Sequence, residues 1–411
     1  MSEEWVEVSL AEVFAAHNAK LGEYSTEPRV LSLSKYDGFV PADEYFDKRI
    51  ASKKLDGYKT VDPDDWAYST IHIDEGSIAR NRLGYPGVIS PMYTTMRWVS
   101  AEHSPEFFEL VLRSPAMLAR YGDSAQGTVN RRRSLPFKTF SSLSVLAPPL
   151  PVQRRIVDLM AHLDNHLANL QTERDAAQAL LNVTRRHEFQ SVISAAGTHL
   201  GTHVKIHHGW AFPSADCRKT QMNGTPRLIR IGDFARSRQS SFDSTRSEDF
   251  VGDFPDRFLL SEGDLLIAMT CQTPDGSILG WPMRVPSDGG PYLHNQRIGQ
   301  VEVLDPQETS IDYLTHLFAS DPLNAAIYRT ATGTKVLHTS PAKIEEIRVT
   351  LPPMGKQKAV AMLLDNLSRL VGTLEDEIRS LGTLRSDCLS SMLGQAIPIP
   401  DSYDSLLSEV A

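Results

Sequence analysis

Cysteine is scarce in this chain of 411 residues: Cys217, Cys271 and Cys388 stand far apart and form no C-x-x-C pair. Neither a disulfide framework nor a thiolate zinc site is indicated, and a reducing cytoplasm is the expected compartment. No apolar run approaches the length of a membrane span. The start MSEEWVEVSL lacks the basic residues and apolar stretch of a signal peptide, so neither secretion nor a membrane partner is expected. A Walker motif, G-x-x-x-x-G-K-[ST], is also missing, which argues against a P-loop motor. No nucleophile stands beside a plausible base, so the chain reads as non-catalytic.

Positive charge is in deficit overall, with a formal net charge of -9. A local cationic groove can still bind phosphates on a protein that is acidic elsewhere. Two clusters qualify. Residues 131 to 138, RRRSLPFK, carry Arg131, Arg132, Arg133 and Lys138 without an acid. Residues 218 to 246 carry Arg218, Lys219, Arg227, Arg230, Arg236, Arg238 and Arg246 against Asp233 and Asp243. The histidines of HLGTHVKIHH, namely His199, His203, His207 and His208, invite a metal reading. Gly201 and the strand-like VKI break any helix that would align them, and no metal site is assigned.

What the chain does have is a repeat. LAPPLPVQRRIVDLM from residue 146 and TLPPMGKQKAVAMLL from residue 350 place Pro148, Pro149 and Gln153 on Pro352, Pro353 and Gln357 at one constant offset. A repeat of this kind marks each half as a module. After each Pro-Pro the apolar residues recur every three or four positions, as on a helix with one buried face. The first stripe is Ile156, Met160, Leu163, Leu167, Leu170, Ala177 and Leu181, lapsing at Arg174. The second is Val360, Leu364, Leu367, Val371, Leu374, Ile378 and Leu381. Spacing of four and three is that of a coiled-coil seam, so the two helices are expected to pack on each other. About 33 helical residues would make rods on the order of 50 Å long.

The duplication extends upstream. Gly127-Thr128 and Gly333-Thr334 each precede the prolines by about twenty residues, and both VDPDDWAYSTI (61 to 71) and LSEGDLLIAMT (260 to 270) read as a turn feeding a buried strand. Strand-like runs RLIRI (227 to 231), DLLIAM (264 to 269) and IGQVEV (298 to 303) alternate with helical PEFFELVLRS (105 to 114) and IDYLTHLFAS (311 to 320), which indicates α+β modules. Residues 1–147 form the first, 148–195 its helix, 196–350 the second, 351–394 its helix, and 395–411 a loosely held tail. A connector is expected around Gly197 to His208, and an exposed loop over SRQSSFDSTRSED, 237 to 249.

These motifs resemble those of the specificity (S) subunit of Type I restriction-modification systems over nearly the whole chain. The resemblance rests on the paired helix starts, PRLIRIGDF (226 to 234), GDLLIAMT (263 to 270), YLHNQRIGQV (292 to 301) and ATGTKV (331 to 336). In the first half the strand and Asn-Gln-Arg motifs are degraded to AYSTIHI and GVISPMYTTM. The resemblance implies two pseudo-symmetric α/β target-recognition domains joined by two long antiparallel coiled-coil helices. Each domain would read one half of a split, asymmetric site in double-stranded DNA. The helices would set the half-site spacing and dock two methyltransferase subunits, with the endonuclease/translocase subunits joining that complex. S-adenosylmethionine, ATP and Mg are expected only in those partners. The chain itself lacks the Gly-rich turn and N-P-P-Y-like motif of a methyltransferase; its APPL and LPPM are helix starts.

The residues assigned to DNA binding are Arg131, Arg132, Arg133 and Lys138 in the first module and Arg227, Arg230, Arg297 and Lys335 in the second. Arginine and lysine supply affinity through phosphates, and arginine also reads guanine. Asn295 and Gln296 read as a structural element beside a strand. The spacer and partner-docking set is Gln153, Ile156, Met160, Leu163, Leu167, Leu170, Gln357, Val360, Leu364, Leu367, Val371 and Leu374. Two other readings stay open: a protein-interaction scaffold, and a specificity subunit for a fused methyltransferase-nuclease.

Overall fold

The computed structural model describes residues 4–22, 28–45, 55–125, 134–219, 224–237, 248–273, 275–287, 290–400 and 402–403. They fall into two compact units, Met1–Leu167 with Ser380–Ala411, and Ala168–Arg379. Each unit therefore holds one module and a segment of both long helices.

The modules share a plan. In the first unit the strands Phe14–Ala16, Trp66–Ser69, Ile78–Arg80 and Tyr93–Trp98 form an antiparallel sheet in the spatial order first, fourth, second, third. In the second, Val204–His208, Leu265–Ala268, Pro282–Arg284 and Ile298–Val303 repeat that order and that antiparallel sense. The fourth strand is then followed by two helices, α1 (Pro105–Leu112) and α2 (Pro115–Ser124) in the first unit. The long helix α3 spans Leu150–Phe189. The second unit has α4 (Ile311–Phe318), α5 (Asp321–Thr330) and the long α6 (Met354–Leu393).

Local chemistry explains the matching helices. Ser104 and Ser310 cap α1 and α4, their hydroxyls accepting the N–H of Phe107 at 3.2 Å and of Tyr313 at 3.4 Å. Phe107, Phe108, Val111 and Leu112 of α1 are buried at the positions that Tyr313, Leu314, Leu317 and Phe318 occupy in α4. In the first core Phe14 meets Trp66 and Trp98 edge-on with ring centroids 5.1 and 5.3 Å apart, an arrangement the aromatic quadrupoles favour. The second unit adds a five-stranded sheet in which Arg227–Ile229 runs parallel to Tyr292–His294. The first adds a hairpin of Leu31–Ser34 with Gly38–Pro41.

Each long helix has 40 residues, or about 60 Å at 1.5 Å per residue, longer than the sequence stripe suggested. Within both units the helices run antiparallel. In the first, Arg385 Nη2 donates to Asp164 Oδ2 at 2.8 Å, and Met160 shares a cluster with Leu389 and Met392. In the second, Arg174 faces Glu375 at 3.9 Å and Glu188 faces Lys356 at 3.8 Å, while Leu181 shares a cluster with Val360 and Leu364. The lapse of the first stripe at Arg174 is thus an ion pair across the seam.

Four expectations are corrected. RLIRI is a strand only through Ile229, because the chain turns into a helix at Ile231–Ser237. The expected connector holds two strands, Ile193–His199 against Arg348–Val349 and Val204–His208 against Ile298–Val303. Gly197 lies so close to its partner that a Cβ there would sit 2.3 Å from the Val349 carbonyl oxygen. The loop reading at 237–249 fails at its end, where Glu248–Phe250 is a strand with Asp249 buried; residues 238–247 lie outside the described residues. The tail is docked as far as Tyr403, whose hydroxyl donates to Asp158 at 2.7 Å, with Ile399 packed on the first core.

Three buried polar side chains matter for stability. Gln153 Nε2 donates to the Pro148 carbonyl at 2.8 Å and to His103 Nδ1 at 2.9 Å, and its Oε1 accepts the Ser104 N–H at 2.8 Å. Gln357 Nε2 donates to the carbonyls of Pro352 and Glu308, each at 2.8 Å, and its Oε1 accepts the Ser310 N–H at 2.9 Å. In both halves one amide joins the proline turn to the cap of the facing helix. His294 is buried, and neither ring nitrogen meets hydrogen-bond geometry with a described residue. Burial pushes its pKa down to about 4, partly opposed by the nearby carbonyls of His207, His208 and Phe258.

Replacing Gln357 by alanine removes the partner of three part-buried backbone groups and is expected to lower the unfolding free energy by about 1–3 kcal/mol. Lys358→Ala, at an exposed neighbour, should leave it unchanged in the same urea titration. The His294 shift gives a pH dependence of definite sign. Between the ordinary value of 6.5 and about 4 the unfolded chain binds a proton that the folded chain refuses. This stability is therefore complete above pH 6.5 and is lost as pH falls toward 4. His294→Phe should flatten the unfolding midpoint across that window.

Candidate nucleic-acid interface

Strand register gathers most of the second-module cations. Ala268 pairs with Ile298, so Thr270 and Arg297 lie beyond the same end of the four-stranded sheet, and the Arg297 carbonyl accepts the Met269 N–H at 2.9 Å. Cys271 pairs with Leu337, which brings in the turn that carries Lys335. There Thr332 and His338 exchange two backbone hydrogen bonds of 2.9 Å each. Gly333 makes that turn possible: its φ is +109°, and a Cβ would stand 2.1 Å from the Val336 carbonyl oxygen. Lys335 is exposed. Ile229 pairs with His294, so Arg230 also emerges beside Asn295.

Arg230, Arg297 and Lys335 thus share one end of the module. Arg230 is ion-paired with Glu248 at 2.6 Å. Arg227 is set back from this end: its guanidinium donates to the Tyr292 hydroxyl at 3.1 Å and lies 5.6 Å from that ring's centroid. Asn295 accepts the Arg297 N–H at 3.1 Å through Oδ1, and Gln296 N–H donates to the Trp210 carbonyl at 3.0 Å. This pair shapes the turn. In the first module Lys138 is exposed on the short helix Phe137–Ser141. Arg131, Arg132 and Arg133, with Gly127 and Thr128, lie outside the described residues.

The helix residues assigned to spacing and docking are occupied within the chain. Gln153, Ile156, Met160, Leu170, Gln357, Val360, Leu364, Val371 and Leu374 are buried, while Leu163, Leu167 and Leu367 are half-buried. They form the seam and pack against the modules, so a partner would not meet the buried ones. On the long helices of the second unit, the exposed large apolar side chains among the described residues are Leu180 and Val183 on α3 and Met362, Leu363 and Leu370 on α6. They lie off the regular stripe, which is why a search for periodicity passes over them.

Among the described residues no three histidine, cysteine or acidic side chains converge as a metal site. His199 meets the Glu346 carbonyl, His203 meets Thr198 and His207 meets Glu302. No helix of the described residues is long and apolar enough to cross a membrane.

No protein-family model matches the chain. The Type I restriction enzyme EcoBI specificity subunit of Escherichia coli is 25% identical over 194 residues, covering 47% of this chain and 36% of that relative. A solved chain from work on complex assembly and conformational transition of the type I restriction-modification system superimposes with a TM-score of 0.59 at 15% identity, covering 95% of this chain and 97% of that one. The S subunit of the Type I system from M. genitalium superimposes with a TM-score of 0.54 at 13% identity, covering 97% of each. The repeated module and the paired 40-residue helices make the chain similar in fold to these solved subunits of Type I restriction-modification systems, and it spans about a third of the curated relative's length.

Proposed function

We propose that this chain is the non-catalytic, sequence-specific DNA-recognition subunit of a Type I restriction-modification complex. The observation that carries the proposal is the same strand order and helix plan occurring twice on one chain, with different side chains at the matching strand ends. Two identical readers would demand a palindrome, whereas two unlike readers on a shared scaffold suit an asymmetric, split site. In this reading residues 1–147 and 196–350 are the target-recognition domains, and the helical spans 148–195 and 351–394 set the distance between the half-sites.

Arg297 and Lys335, with Arg230 once Glu248 releases it, would contact DNA from the second domain. Arg227 would act behind them by holding Tyr292. Lys138 and Arg131, Arg132 and Arg133 would serve the first domain. Leu180, Val183, Met362, Leu363 and Leu370 are an apolar cost in water, and a surface of that kind fits helices of a methyltransferase subunit. S-adenosylmethionine, ATP and Mg would act in the methyltransferase and endonuclease/translocase subunits, outside this chain.

Expressed with its cognate methyltransferase in a methylation-free host, the chain should produce methylation at two short unlike sequences separated by a fixed gap, as mapped by long-read sequencing. Methylation that is identical without the chain, or absent from a complex that co-purifies with active methyltransferase, would refute the proposal. Arg297→Ala and Lys335→Ala should each weaken DNA binding and reduce the slope of log K against log salt by about one for every phosphate no longer neutralised. Titration at several salt concentrations measures that slope.

A further inference from the structure

Corresponding strand ends in the two modules carry opposite chemistry. Arg297 immediately precedes the six-residue strand Ile298–Val303, and Met92 immediately precedes the six-residue strand Tyr93–Trp98. The fourth strand pairs with the second at the same point in both, Ala268 with Ile298 and Ser69 with Tyr93. The carbonyl at that position is held from the same side: the Met269 N–H donates to Arg297 at 2.9 Å, and the Thr70 hydroxyl donates to Met92 at 3.5 Å. Met92 therefore stands where the second module has its arginine.

A second apolar group joins it. The turn 70–77 leaves the same strand end, and Glu75 within it binds Lys35 at 3.4 Å, which seats the hairpin tip 35–37 there. Ser34 Oγ accepts the N–H groups of Tyr36 and Asp37 at 3.1 and 3.2 Å, and Arg113 Nη2 donates to the carbonyls of Lys35 and Tyr36 at 2.5 and 3.3 Å. This tip is braced, yet the Tyr36 ring is exposed, with the Lys35 ammonium 5.2 Å from its centroid. At 74% and 67% relative exposure, Tyr36 and Met92 are the two most exposed large apolar side chains among the described residues.

Charge at this end does not suit phosphate. Lys35 is engaged by Glu75, and Asp37 and Asp74 lie beside them in the chain. Two exposed apolar side chains at one end of the module suit the apolar group that a duplex offers in its major groove, the C5-methyl of thymine. We infer that Met92 and Tyr36 are specificity-determining residues of the first module, which reads thymine methyl groups in its half-site where the second module reads with cations. The inference rests on the DNA-recognition reading proposed above, and it means that the degraded Asn-Gln-Arg motif is a changed reader and not a lost one.

The test uses the complex of this chain with its methyltransferase and the split site found by methylation mapping. Replacing thymine by deoxyuridine removes only the methyl group. In the half-site read by the first module it should weaken binding about fourfold per contacted base, the value of one buried methyl. The double variant Tyr36→Ala, Met92→Ala should respond to neither base, and its methylation map should relax at a thymine position in one half while the other half stays unchanged. Tyr36→Phe should behave as the parent, since the ring and not the hydroxyl makes the contact. A parent complex indifferent to deoxyuridine in both half-sites overturns the inference, whether or not the double variant folds. An unaltered map from the double variant overturns it as well. If the parent itself yields no split motif, the functional reading fails first, and the two failures are distinguishable.

Discussion

A single side-chain amide at the first turn of each long helix ties the module to that helix. Two prolines in succession interrupt the backbone ladder and leave the carbonyl of the first without an amide partner. The facing eight-residue helix leaves the N–H of its capping serine open in the same place. Gln153 and Gln357 answer both with one planar group that donates and accepts at once. Because the amide is buried in each half, neither side can move without leaving polar groups unpaired in a dry environment. That constraint sets the direction in which each module leaves its helix, and hence where the strand ends and their turns can stand.

The seam between the long helices follows the same logic at its surface. Its apolar positions give adhesion without direction, since leucine and valine pack in several registers. Arg174 with Glu375 in one unit and Asp164 with Arg385 in the other supply direction and register. Such pairs contribute little free energy when exposed but penalise a shifted register, which would set like charges or apolar groups against them. Two long helices that must hold one register need that kind of definition more than they need additional stability.

On this shared frame the modules diverge where the frame constrains them least. The buried faces of α1 and α4 are aromatic and aliphatic at matching positions, whereas the turns beyond the sheets differ in length, charge and polarity. Core positions must fill a fixed volume. Turns that face solvent have no such restriction, so one scaffold can carry an arginine at one strand end and a methionine at the other.

Much of this was legible in the chain itself. The repeat, the two long helices, the strands at 265–268 and 298–303, the helices at 105–112 and 311–318 and the seam residues follow from periodicity and proline position, which are local signals. The partner of each glutamine was not legible: both were read as docking residues, since nothing near them in sequence shows an open serine N–H some fifty positions earlier. The strand-like VKI was legible within the expected connector, but its extension to His208 and its place in a sheet were not, because its pairing partner lies at 299–303. The apolar residues that reach solvent on α3 and α6 escaped a search for periodic stripes. By itself the sequence determined that there are two modules, two helices and one buried face on each, since propensity and burial are written in nearby residues. Only the tertiary structure decided which strand neighbours which, what each glutamine satisfies and that Met92 stands in the place of Arg297, because those depend on pairings between residues far apart along the chain.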